Sequence, residues 1–261
     1  MMKAYAIGIG GTALAATFFA AGVYSAKTPP IGPDIVMAEP AADAAMDAAI
    51  RDFLERHPEV VVEASQRHAQ LEEQRKSEII TATLQERRGE LIGDASSPIL
   101  GDPAAKITLV EFFDYNCGFC RRGHEDINAV LEEFPDVKVV LRPFPILGPD
   151  SARAHQVAQA FFNLHPDKYR ALHDALLTSP GQVDEATALQ IALSLGADEA
   201  VLRAEMGKPE IGEAFSRTYA ITQALDITGT PSYVLGMEVI GGAVGFDTLA
   251  EKIRAIAVAS N

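Results

Sequence analysis

The sequence predicts an α/β fold with an all-helical block set inside it and a helical extension in front. Three observations carry that prediction. Lys106–Phe113 and Val137–Arg142 are apolar runs too continuous for half-exposed strands, and one amphipathic helical stretch, Cys117–Phe134, lies between them. With connections this short, strand, helix and strand make a right-handed βαβ unit. From Pro149 to Asp226 the pattern is helical almost throughout, and after Pro231 come two short strands, Ser232–Leu235 and Glu238–Ile240, with an amphipathic closing helix, Phe246–Val258.

The chain has 261 residues, enough for one sizeable core and a small extra module. Met1-Met2-Lys3 precedes an apolar stretch, Ala4–Tyr24. Residues 1–26 therefore read as an export signal, with Val23 and Ser25 at the small-residue positions, or as a membrane anchor over residues 4–24. Either outcome puts the remainder outside the cytoplasm, which in a bacterium is the periplasm, where disulfides persist. Residues 27–40 carry Pro29, Pro30, Pro33 and Pro40 and read as a linker.

Residues 41–94 read as a helical extension. Met46, Ile50, Phe53, Leu54 and His57 share one face, His57-Pro58 breaks the helix, and Val60, Val61, Val62 and Ala64 open a second one. That helix turns very polar over Glu72–Glu78, where Glu72 and Lys76 form an i,i+4 pair. No heptad is sustained. The Met46–Ala64 face needs a surface to bury against, and periodicity leaves two open: the main domain or another copy of the chain. The main domain spans residues 95–261, its helical block covers about 150–226, and several of the block's helices begin with an acidic residue suited to capping.

A net charge of −14 argues against nucleic acid or an anionic membrane surface as partner, although solubility alone accounts for it. The chain has only two cysteines, Cys117 and Cys120, so a disulfide framework is excluded. Cys117 falls where a strand ends and a helix begins. Unpaired N–H groups and the helix dipole favour a negative sulfur there, which lowers a cysteine pKa. Cys120 lies one turn further on, so the sulfurs can reach bonding distance. A structural disulfide is the other reading, but the loop it would close is tiny and gains little entropy. Period-two counting puts Glu111 on the Leu109/Phe113 face of a buried strand, where desolvation would raise its pKa; a hydrated Glu at the sheet end is the alternative. A metal-handling reading competes, since Cys117, Cys120 and His124 form a C-x2-C-x3-H set suited to copper or zinc. Against it, a structural zinc site wants four ligands, no second cluster appears, and Arg121 and Arg122 add positive charge. No metal site and no cofactor are expected. His155, His165 and His173 have no ligand spacing and read as surface or capping residues.

A Cys-x-x-Cys at a strand–helix junction, a helical block, then Thr228-Gly229-Thr230-Pro231 before a hairpin and a last helix: from about Ser96 to Asn261 this resembles the thioredoxin superfamily. More narrowly it resembles the DsbA-type thiol-disulfide oxidoreductases, whose thioredoxin fold holds an all-helical insertion. The export segment, the helical extension and Phe112-Phe113-Asp114-Tyr115-Asn116-Cys117-Gly118-Phe119-Cys120 resemble the ScsC-like subgroup. The resemblance implies that Cys117 is the nucleophile, Cys120 the resolving cysteine and Pro231 a cis-proline facing them. It also implies that Thr230 and Phe119 contact substrate, and that Glu111 is the buried acid serving Cys120. Partners would be unfolded or misoxidised exported proteins and a membrane redox protein that resets the pair. ScsC-like proteins can oligomerise through their extension and act as isomerases, so residues 41–94 would make a dimer or trimer. One departure stands out: Gly118-Phe119 replaces the Pro-His of DsbA itself. With no charge from Phe119 the pair would oxidise less strongly, which tilts the expectation toward isomerisation.

Overall fold

The computed structural model describes residues 41–259, so the expected signal or anchor (1–26) and linker (27–40) lie outside the described residues. Among the described residues, no helix is long and apolar enough to cross a membrane. The chain divides into two compact units at Val61/Val62. The described part of the first holds α1 (Ala41–Arg56) and the first turn of α2 (Glu59–Glu86). His57 N–H still reaches Phe53 O at 2.9 Å, but Pro58 has no N–H to donate and the helix restarts after it. The α1 face of Met46 (61% exposed), Ile50 and Phe53 is open.

The second unit contains the rest of α2, α3 (Arg88–Ile92), β1 (Ile99–Gly101), β2 (Ile107–Phe113), α4 (Gly118–Glu133) and β3 (Val137–Pro143). The helical block follows as α5 (Pro149–Leu164), a 3-10 turn over Pro166–Lys168, α6 (Tyr169–Thr178), α7 (Glu185–Ser194), α8 (Glu199–Met206) and α9 (Pro209–Ala224). Asp184 and Asp198 cap α7 and α8 by accepting from Thr187 N–H and Val201 N–H. β4 (Ser232–Leu235), β5 (Glu238–Gly241) and α10 (Phe246–Ala259) close the fold. The sheet order is β1-β3-β2-β4-β5. β2 pairs parallel with β3 and antiparallel with β4.

Alternation along β2 and β3 sorts the core into two layers. Leu109, Phe113, Val139 and Leu141 pack with α4, the helical block and α10. Val110, Phe112, Val140 and Val234 pack with Ile221, Leu225 and, from α2 and α3, Leu84 and Leu91. The compact unit thus begins at Val62, well before residue 95. Its reach into the extension rests on two apolar side chains scattered in polar sequence. Leu84→Ala should cost about 2–4 kcal/mol in urea unfolding, as an unfilled core site does, whereas Met46→Ala on the open face of α1 should change little. Charge pairing on α2 also corrects the sequence expectation. Glu72 is met by Arg75 at 2.9 Å, while Lys76 reaches across to Asp226 at 2.6 Å.

Arg142 points into the second layer and is 1% exposed. Its Nη1 donates to Asp94 Oδ2 (3.1 Å) and Ser97 Oγ (2.9 Å), and Arg217 Nε donates to the same Asp94 oxygen at 2.9 Å. Among the described residues, Nε and Nη2 of Arg142 have no hydrogen-bond partner. Burial works against the Asp94 carboxylate, yet hydrogen bonds from Ser96 and Arg217 and the Arg142 charge hold its pKa down to about 2.

Candidate active site

β2 ends at Phe113 and the chain turns through Asp114-Tyr115-Asn116, with Cys117 N–H donating to Asp114 O at 3.0 Å. The Asp114 carboxylate, fully buried, builds the turn by accepting from Asn116 N–H (2.8 Å), Ser151 Oγ (2.8 Å) and Leu147 N–H (3.1 Å). Cys117 then occupies the N-cap of α4 with extended backbone, so its side chain sits over the first turn of the helix. The opposite wall comes from the far end of the chain. Phe112 pairs with Ser232, which carries Thr230 and Pro231 just beyond the end of β2. The Thr230–Pro231 peptide is cis, and Cys117 Sγ lies 3.1 Å from Thr230 O, to which it donates when protonated.

Both cysteines are free thiols. A hydrogen bond from the Cys120 thiol, one from the Thr230 side chain, and the N–H groups of Cys120 and Phe119 outweigh burial and hold the Cys117 thiol down to about 5. Cys120, 1% exposed, is pushed far the other way: burial comes first, then its bond to the Cys117 sulfur and the nearby Glu111 charge. One sulfur is thus the thiolate at neutral pH and its neighbour a thiol. Glu111 is buried on the α4 side of β2, which removes the hydrated alternative. Desolvation, then the Cys117 charge, raise its pKa to about 8. Phe119 stands 58% exposed, with the Arg122 guanidinium 4.3 Å above its ring. Phe119, Ile227, Thr230, Pro231 and Val239 line a groove of about 440 Å³ beside the sulfurs.

A protonated Glu111 has a measurable signature. Between pH 4.5 and about 8 the unfolded chain gives up this proton and the folded one keeps it, so stability falls as pH rises. Glu111→Gln should remove a dependence that approaches about 1.4 kcal/mol per pH unit. Urea unfolding of both proteins from pH 4 to 9 checks this: a constant difference between them would show Glu111 ionising normally.

Two expectations about histidine are corrected. His155 and His173 are buried, ringed by Phe113 and Tyr115, and burial lowers both pKa values; among the three only His165 caps a helix, at the end of α5. His124 is buried as well. Its Nε2 lies 3.2 Å from Asp174 Oδ1 and 3.2 Å from the Asn128 amide. No group of three or more His, Cys, Asp or Glu side chains converges among the described residues, so the C-x2-C-x3-H set does not assemble as a ligand cluster. In the sequence Asp114 and Asn116 are two polar residues between the apolar run of β2 and Cys117, and nothing local marks them as builders of the site beyond short side chains able to bond backbone two residues on.

A thioredoxin-type sheet with a helical insertion, and a thiol pair at a helix start opposite a cis-proline, define the class of protein-disulfide oxidoreductases and isomerases. Residues 108–254 match the DSBA-like thioredoxin domain. The chain belongs to that family. It is 35% identical to a thioredoxin-like oxidoreductase from Silicibacter pomeroyi DSS-3, with a TM-score of 0.62 over 65% of this chain and 97% of that one. Proteus mirabilis ScsC in a transitional conformation is 28% identical, with a TM-score of 0.62 over 83% of this chain and 95% of that one. A curated protein, Na(+)/H(+) antiporter NhaA 1 of Salinispora arenicola, is 21% identical over 157 residues, 59% of this chain; the chain spans 24% of the length of that relative.

Proposed function

We propose that the protein is a periplasmic thiol-disulfide oxidoreductase that forms or isomerises disulfides in exported proteins through Cys117-Gly118-Phe119-Cys120. One observation carries this reading: the Cys117 sulfur caps α4 and lies 3.1 Å from Thr230 O across the cis-proline. A polypeptide lying along Thr230 and Pro231 would bring its own sulfur to that point, with the Phe119 groove taking an adjacent apolar side chain.

In isomerisation the Cys117 thiolate attacks one sulfur of a wrong disulfide, a mixed disulfide forms, and the other substrate sulfur leaves as thiolate. That thiolate attacks a different substrate disulfide, and the thiolate so released displaces Cys117. If the substrate stalls, Cys120 passes its proton to Glu111, which has to be ionised for that step, attacks the Cys117 sulfur and frees the substrate thiolate. In oxidation a substrate thiolate attacks Cys117 of the closed pair, and Cys120 leaves and takes a proton from protonated Glu111. A second substrate thiolate then displaces Cys117. The pair is left reduced, to be reset by a membrane redox partner.

Uncharged Phe119 between the cysteines favours reshuffling over one-way oxidation. The open Met46/Ile50/Phe53 face of α1 supports self-association through residues 41–94 as a dimer or trimer. Localisation rests on the apolar stretch at residues 4–24 and on the need of a redox pair for an oxidising compartment. Two parallel assays test the reading. Recovery of activity from scrambled ribonuclease should outpace oxidation of reduced ribonuclease; the reverse order would make the protein an oxidase, and failure in both would sink the proposal.

A further inference from the structure

The two residues that flank the Cys117 turn are both tied to one loop of the helical insertion. Asn116, immediately before Cys117, is paired with Val183 in both directions: Val183 N–H donates to Asn116 Oδ1 at 2.7 Å, and Asn116 Nδ2 donates to Val183 O at 2.8 Å. This is a strand-like bridge in which a side-chain amide replaces one backbone. The same Nδ2 donates to Ser151 Oγ at 2.9 Å, and that hydroxyl donates to Asp114. On the other side of Cys117, Arg121 spans the gap with its fork. Nε donates to Tyr115 O at 2.9 Å and Nη1 to Ser179 O at 2.6 Å. Ser179 and Val183 bracket the connection between α6 and α7. Fixed bonds therefore hold the turn at positions 116 and 121, with the reacting sulfur between them.

The sulfur needs such bracing. Its stabilising N–H groups belong to Phe119 and Cys120, and donors of this kind act only within hydrogen-bond reach. A small pivot of the turn would carry Sγ off them and off Thr230. Asn116 directs its amide to the loop and to Ser151, and Arg121 gives two of its donors to carbonyls instead of facing the thiolate as a charge.

We infer that Asn116 and Arg121 are positioning residues of the thiol site, and that the loop of residues 179–183 is the anchor against which they hold Cys117 at the N-terminus of α4. The inference rests on the reading of Cys117 as the reacting sulfur. The helical insertion then has a role in reactivity in addition to its role in the core.

The test titrates the Cys117 thiolate by its absorbance at about 240 nm in the full chain, for wild type, Asn116→Ala, Arg121→Lys and Arg121→Met, and records the melting temperature of each. Loss of the brace should raise the titration midpoint by about one pH unit in Asn116→Ala, the size of one hydrogen bond to a charged group. At about pH 4, below both midpoints, it should cut the thiolate fraction roughly tenfold and slow reaction with a small aromatic disulfide by about threefold, since the sulfur of higher pKa is the better nucleophile once ionised. Arg121→Lys keeps the charge and loses the fork, so it should shift the midpoint as far as Arg121→Met. A merely structural pair of residues would lower the melting temperature and leave the midpoint alone. Folded variants that titrate like wild type overturn the inference, and so does an Arg121→Lys protein that matches wild type while Arg121→Met shifts. Arg121→Lys is mild enough to decide the matter if Asn116→Ala does not fold. A wild-type sulfur that titrates like free cysteine overturns the site reading and this inference together; a low wild-type midpoint with unmoved variants overturns this inference alone.

Discussion

Cys117→Ala is expected to bring thiol-disulfide exchange down to the uncatalysed background, while Cys120→Ala accumulates mixed disulfides with substrate. The asymmetry follows from the environments of the two sulfurs. Cys117 caps a helix, keeps 7% of its surface open at the edge of the groove and is thiolate at neutral pH; Cys120 is sealed and remains a thiol. Removing the first takes away the one thiol of the pair that keeps open surface for another polypeptide to reach. Removing the second leaves attack intact and deletes the intramolecular escape. Non-reducing electrophoresis and mass spectrometry after incubation with scrambled ribonuclease read both effects. Turnover retained by Cys117→Ala would refute its assignment as nucleophile.

Asp94→Asn should be the most damaging exchange of one atom in the second layer, costing about 3–5 kcal/mol. It leaves the Arg142 guanidinium at 1% exposure without its counter-charge, and two of its nitrogens already lack a hydrogen-bond partner among the described residues. Arg142→Met should cost less, because Asp94 keeps Arg217 and the methionine fills the space with no charge to bury. The double variant should then be more stable than the sum of the two losses implies. Acid supplies an independent check. The folded pKa of Asp94, about 2, lies below its ordinary value of 3.8, so its contribution is whole above about pH 4 and disappears as pH falls through about 2. Urea unfolding between about pH 2 and 6 should show a falling limb in wild type that is shallower in Asp94→Asn.

Much of this architecture was legible in the chain because it rests on local patterns. β2, β3 and α4 were bounded to within a residue or two by apolar runs and by the switch to helical period at Cys117. The order of Cys-x-x-Cys, helical block and Thr-Pro pointed to the thioredoxin type, and alternation placed Glu111 on the Leu109/Phe113 face of its strand, with its burial left open until the structure. What escaped depends on partners far along the chain. Leu84 and Leu91 are lone apolar residues in polar stretches, and only the sheet beneath them explains why they are buried. Arg142 ends an apolar run with a charge, and the counter-charge that allows it to be buried, Asp94, lies 48 residues earlier. His155 and His173 have no period or spacing to mark them, since their surroundings come from Phe113 and Tyr115 on another element. The link between Asn116 and Val183 spans 67 residues and leaves no trace in either neighbourhood.

The carbonyl that faces the Cys117 sulfur lies 113 residues downstream, beside a strand that joins the sheet only after the whole insertion has been laid down. During synthesis the two thiols leave the ribosome long before the edge that would present a client to them. A nascent chain therefore carries both cysteines through much of its elongation before the Thr230–Pro231 wall that faces them exists.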